Sequence, residues 1–130
     1  MQYMLLIYDS EAVWETMPED EQQSVMGEYF QYTEDLKSSG KYVAGDALQP
    51  IATAKSVRIR DGETSTTDGP FAETKEVLGG FNLIEADNID EAVRMAAEFP
   101  WAQTGTIEVR PVRDIETVRR RISVNETVAT

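Results

Sequence analysis

Apolar and polar positions divide this chain into segments of two periods. "YMLLIY" at Tyr3–Tyr8 is an uninterrupted apolar run, which reads as a short strand buried on both faces. Further on the period changes. Val25, Met26, Tyr29, Phe30, Thr33 and Leu36 recur at helical spacing until Gly40 supplies a stop. "TMPE" at Thr16–Glu19 precedes that stripe. Thr16 as N-cap with Glu19 in reach predicts a capping box, and Pro18 falls in the first turn, where a missing N–H costs little. The helix is expected from about Met17 to Ser39, with Tyr29, Phe30 and Tyr32 as core aromatics.

The remaining pattern is mostly extended. "KYVAGDALQP", Lys41–Pro50, reads as a strand ending at proline. "SVRIRDGETSTT", Ser56–Thr67, is the clearest hairpin, because Asp61-Gly62 suits a two-residue primed turn between β-rich arms. "GGFNLIEA", Gly79–Ala86, is a further strand. In "NIDEAVRMAAEFP", Asn88 and Glu91 form an N-terminal box, Ile89, Ala92, Val93, Ala96 and Phe99 make an apolar stripe, and Pro100 ends the helix. The last strand, "GTIEVRPV", sets Ile107 and Val109 on one face and Glu108 and Arg110 on the other. Trp14 and Trp101 fall between these elements, in expected loops, where they could close a pocket or an interface.

Setting the hairpin aside as an insertion, the order is βαββαβ, the ferredoxin-like arrangement of the α+β class. Two helices cover one face of an antiparallel sheet. The other face calls for a second copy, so a homodimer with facing sheets is expected. Residues 1–112 make up this domain. Residues 113–130 are an extension in which Ile115, Val118 and Ile122 allow a weak amphipathic helix.

Composition then narrows the chemistry. The chain has 130 residues, neither cysteine nor histidine, and a net charge of −12. Without those two side chains, Ser-His-Asp and thiolate chemistry are excluded and the usual zinc ligands are missing. Acid–base work would fall to Asp, Glu, Lys or Tyr. No metal is expected, since no spaced carboxylate cluster would hold one, and no cofactor is implied. The acidity opposes binding to nucleic acid or to anionic membranes, despite the Arg119–Arg121 run. With no secretory leader and no cysteine, a cytoplasmic location is expected.

"TDGPFAETKE", Thr67–Glu76, concentrates three carboxylates and one of the four lysines around a Gly-Pro step. Physically, Gly69 before proline is pushed towards extended geometry. Pro70 can start a helical turn over Phe71–Glu73, with Asp68 accepting its free N–H groups. On the structural reading Phe71 plugs the core and Glu73 or Glu76 pairs with a nearby cation. On the functional reading the turn is an anion site flanked by two acid–base carboxylates, Asp68 and Glu73.

The same stretch, with "GGF" at Gly79–Phe81, "IEVRPV" at Ile107–Val112 and "GDALQP" at Gly45–Pro50, resembles the DGPF branch of the YCII-related family. The resemblance covers about Met1–Val112. It implies a dimeric α+β barrel of ferredoxin-like protomers, each with a polar cleft. Some relatives in the broader group are lactone dehalogenases, and some carry a proposed catalytic His-Asp pair, which this chain lacks. Other DGPF proteins are linked by gene neighbourhood to sigma-factor regulation.

The expected function is therefore binding of a small molecule, an anion among the candidates, in a cleft rimmed by the DGPF turn. A protein-binding accessory and a carboxylate-based isomerase or dehalogenase are the alternatives. Asp68 and Glu73 are the candidate catalytic residues. Asp46, Arg58, Gly69, Pro70, Phe71, Lys75 and Arg110 are the candidate ligand contacts. Asp46 also reads as a turn residue beside Gly45, Lys75 as a surface lysine, and Arg110 as the partner of Glu108 in a cross-strand pair.

Overall fold

The computed structural model describes residues 1–129, and the side chains of residues 1–123. Four strands form one antiparallel sheet: β1 (Gln2–Asp9), β2 (Tyr42–Ala47), β5 (Val77–Glu85) and β6 (Thr106–Pro111), in the order β2-β5-β1-β6. Two long connections cross it, α2 (Glu19–Ser38) from β1 to β2 and α3 (Ile89–Ala97) from β5 to β6. Each skips one strand, so two split βαβ units interleave. This is the ferredoxin-like α+β arrangement expected from the pattern.

Alternation along β1 decides which face is covered. Tyr3, Leu5 and Ile7 are buried, and they pair with Ile84, Asn82 and Gly80 of β5, also buried. Beneath the helices this face joins Leu36, Ala92, Met95, Ala96 and Phe99 in one core. Phe99, Leu5 and Ile84 are fully buried, so truncating Phe99 to alanine is expected to cost about 3–5 kcal/mol. Asn82 is buried with them. Its Oδ1 accepts from the Tyr29 hydroxyl at 3.4 Å, while its Nδ2 has no partner among the described residues. Met4, Leu6, Phe81 and Leu83 form the middle of the opposite face and are only half-buried.

The start of α2 differs from expectation. Its N-cap is Pro18, in extended geometry (φ −56°, ψ 145°), and no side chain caps it. Thr16 instead closes a short helix, α1 (Glu11–Glu15), its hydroxyl donating to the Ala12 carbonyl at 2.7 Å. A hydroxyl occupied by the turn before it cannot cap the turn after it. Phe30 is 57% exposed rather than core. In α3 the Asn88 half of the expected box forms, with the Glu91 N–H donating to Asn88 Oδ1 at 2.8 Å, while the Glu91 carboxylate pairs with Lys41 at 3.2 Å. Trp14 lies in α1, and Trp101 opens another short helix, α4 (Trp101–Thr104), so neither is in a loop.

The hairpin β3 (Lys55–Arg60) and β4 (Glu63–Asp68) forms a separate two-stranded sheet. Asp61 (φ 54°) and Gly62 (φ 78°) both take the positive φ that a primed turn requires. Beyond β4 the chain runs through bends, and the helical turn expected over Phe71–Glu73 is not formed. Gly69 has φ +89°, left-handed rather than extended. Phe71 is 82% exposed and plugs nothing. The extension forms α5 (Ile115–Ala129), and Thr130 lies outside the described residues. Among the described residues no helix is long and apolar enough to cross a membrane.

Candidate functional site

A cleft of about 450 Å³ opens at the end of the sheet, within the usual range for small-molecule sites. Six segments meet there: the end of β1, α1, the middle of α2, the end of β2 with the run after it, the start of β5 and the start of α4. Its walls are aromatic. Trp14 meets Trp101 edge to face at 5.7 Å between centroids, and Tyr29 from α2 leans on Trp101, also at 5.7 Å. Such contacts are worth roughly 0.5–1.5 kcal/mol each beyond area burial. They join α1 and α4, which are too short to hold their own shape.

Asp9 is the central acid. It ends β1 and lines the cleft, and among the described residues its carboxylate makes no hydrogen bond or ion pair. Burial pushes its pKa up from the ordinary 3.8, and the charges of Glu11 and Glu76 push the same way. Those neighbours are themselves occupied. Glu11 accepts from the Ile51 N–H at 3.1 Å, and Glu76 from the Thr106 hydroxyl at 3.1 Å.

Glycines make room for this acid. A Cβ on Gly79 would stand 3.3 Å from Asp9 Oδ1, and one on Gly105 would stand 2.9 Å from Asp9 Cβ. Gly80 passes so close to β2 that a Cβ there would meet the Asp46 carbonyl oxygen at 2.8 Å. The Gly79-Gly80 step therefore lets the start of β5 run tightly between Asp9 and Asp46. Asp46 lines the cleft too, at the end of β2, and its charge helps hold the pKa of Tyr29 up after burial has raised it. Glu15 is the fourth lining acid, and no lysine or arginine lines the cleft among the described residues.

Of the residues singled out from the pattern, then, Asp46 lines this cleft. Asp68, Gly69, Pro70, Phe71, Glu73 and Lys75 do not. Asp68 ends β4 on the surface, its side chain 87% exposed and paired with Lys55 at 2.6 Å. Glu73 and Lys75 are exposed in the bends that follow. Arg58 and Phe71 share a shallow groove along the hairpin with Val57 and Ile59. Arg110 is exposed and paired with Glu108. The two are neighbours on β6, so the pair lies along one strand rather than across two.

Asp9, Trp14, Trp101 and Tyr29 have no local motif in common. Only the glycines at 79, 80 and 105, where backbone must approach closely, signal the site in the sequence. Among the described residues no group of acids is arranged to hold a metal ion.

The chain belongs to the YCII-related family: residues 1–116 match the sequence model of the YCII-related domain. It is 38% identical over 114 residues to an uncharacterised protein of Rhizobium meliloti (strain 1021), covering 86% of this chain and 92% of that one. Among solved structures it resembles 5-chloro-2-hydroxyhydroquinone dehydrochlorinase from Burkholderia phenoliruptrix AC1100, determined in complex with 2,5-dihydroxybenzoquinone. The TM-score is 0.52 at 16% identity, over 87% of this chain and 94% of that chain. At that identity the likeness is one of fold.

Proposed function

We propose that the chain binds a small planar organic molecule in the cleft and that Asp9 exchanges a proton with it. The observation that carries this reading is the carboxylate of Asp9, without a partner among the described residues and half-buried at the end of β1 beside the Trp14–Trp101–Tyr29 wall. A carboxyl with a raised pKa is a better base when ionised and a usable acid when protonated. In a chain without histidine, proton transfer falls to the acids of the cleft, and Asp9 is the one whose pKa burial raises. Isomerisation, or elimination of an acid from a hydroxylated ring, are the reaction classes that need it. A neighbour of this fold that acts on a chlorinated hydroxyhydroquinone is compatible with that reading.

The test is a thermal-shift screen of planar hydroxylated compounds against the wild-type chain and Asp9→Asn. A true ligand at a hundred times its Kd stabilises the fold by about 2.7 kcal/mol. Asp9→Asn is expected to keep its affinity for uncharged compounds of this class and to lose turnover. A screen without a single shift, or an Asp9→Asn variant that turns over at the wild-type rate, overturns the reading.

In the same reading the chain acts as a homodimer, closing the bare sheet face over Met4, Leu6, Phe81 and Leu83. The hairpin residues Val57 and Ile59, 63% and 62% exposed, favour a protein contact there as well.

A further inference from the structure

We propose that the cleft selects organic cations, taking a ring or compact alkyl group that carries an ammonium. This deepens the small-molecule reading above and rests on it. The cavity and its aromatic wall make the site, and the charges around it decide the sign of the ligand.

Three aromatic rings, Trp14 and Tyr29 each in contact with Trp101, line one space, and the face of each ring carries the negative end of its quadrupole. An ammonium group is attracted to such faces, most strongly to tryptophan, and more so when it is partly desolvated. Every charged residue that lines the same space among those described is an acid: Asp9, Glu11, Glu15 and Asp46. Glu11 is engaged by the Ile51 N–H, whereas among the described residues the carboxylates of Asp9, Glu15 and Asp46 have neither a hydrogen bond nor an ion pair.

An anion entering here would be added to carboxylates that already repel one another, since Glu11 and Glu76 both act against the ionised Asp9. A cation would relieve that repulsion as it bound. A neutral molecule would gain from stacking alone. The electrostatics therefore rank the three classes as cation, then neutral, then anion.

Both tryptophans of the chain line the cleft, so intrinsic fluorescence reports occupancy without a label. Three probes of one shape class separate the outcomes: benzyltrimethylammonium, benzyl alcohol and benzoate. The ammonium is expected to bind at least tenfold more tightly than either of the others. Its affinity should weaken as salt rises, and should fall severalfold in Glu15→Gln and further in Asp9→Asn. Glu15 is exposed on α1, so its variant keeps the test intact even if the Asp9 variant folds poorly. Tighter binding of the alcohol or of benzoate overturns cation selection and leaves the small-molecule reading standing. No response to any of the three overturns cation selection too, and the broader screen then decides the reading beneath it.

Discussion

Gly105 lies against the end of β1 so closely that a Cβ on it would fall 2.9 Å from Asp9 Cβ. The same Cβ would stand 2.2 Å from the Tyr8 carbonyl oxygen, which is backbone and cannot swing away. Gly105 has φ −145°, so space rather than a special conformation demands glycine here. Gly105→Ala must push α4 and β6 away from β1, and Asp9 moves with them. The expected loss is about 1–3 kcal/mol in denaturant unfolding, typical of overpacking. On the proposed function it also lowers turnover beyond what the loss of folded protein explains. An alanine variant as stable as wild type would show that the strands part freely.

Asp9 gives the chain a pH signature of definite sign. Its folded pKa lies above the ordinary 3.8 because burial, and then Glu11 and Glu76, disfavour the ionised form. Between the two values the folded state holds more protons than the unfolded one, so stability falls as pH rises through that window. Below the window the penalty is absent, and above it the penalty is complete. Asp9→Asn removes the group, so it is expected to raise stability at neutral pH and to flatten this part of the profile. Thermal melts of both proteins across acid pH measure the difference. A variant that is less stable at pH 7 would mean that the charged form is favoured in the fold.

What was legible in the sequence follows from how local each cause is. The hairpin turn needs only Asp61 and Gly62 at positive φ, and the α3 N-cap needs only Asn88 and the Glu91 N–H. Both read directly from neighbouring residues. The fold order followed because the uninterrupted apolar run of β1 and the stripe of α3 are strong. The start of α2 failed because Thr16 has two competing uses, and the preceding turn took it. The DGPF stretch drew attention by its density of charge, yet its charged groups are exposed. The cleft was illegible for the opposite reason. Asp9, Trp14, Tyr29 and Trp101 are brought together only by the crossing of α2 and the docking of α1 and α4.

Asp68 and Gly69 adjoin, and their substitutions should behave differently. The Lys55–Asp68 pair is short at 2.6 Å, but the side chains are 72% and 87% exposed. Such pairs contribute about 0–1 kcal/mol, so Asp68→Asn should cost less than about 1 kcal/mol and lose most of even that in high salt. Gly69 is different. It holds φ +89° with nothing within 4 Å of a would-be Cβ, so strain rather than crowding opposes a side chain. Its N–H donates to Ala54 at 2.7 Å and its carbonyl accepts from Ser56 at 2.8 Å, which ties the base of the hairpin. Gly69→Val should cost on the order of 1–2 kcal/mol or more, because a β-branched residue resists left-handed geometry. Paired urea melts decide it, and equal losses in the two variants would contradict this account.

The bare face of the sheet gives the last prediction. Leu6 stands at its centre, opposite Phe81 on β5 and Glu108 on β6, with Met4 and Leu83 one step along. Four strands spaced ~4.8 Å, each roughly 20 Å long, present a face of about 400 Å². Two such faces bury roughly 800 Å², below the ~1,200 Å² at which stable interfaces begin. The shortfall requires further surface, and the exposed Val57, Ile59 and Phe71 of the hairpin arm provide apolar area for it. A homodimer built on both regions therefore predicts two separable effects. Leu6→Lys should give a folded monomer, since Leu6 points away from the helix-side core and its loss leaves that core intact. Val57→Glu should weaken the dimer by a lesser amount without abolishing it. Sedimentation equilibrium at micromolar concentration measures both. A wild-type chain that sediments there as a folded monomer ends the proposal, and an unaffected Val57→Glu dimer removes the arm from it.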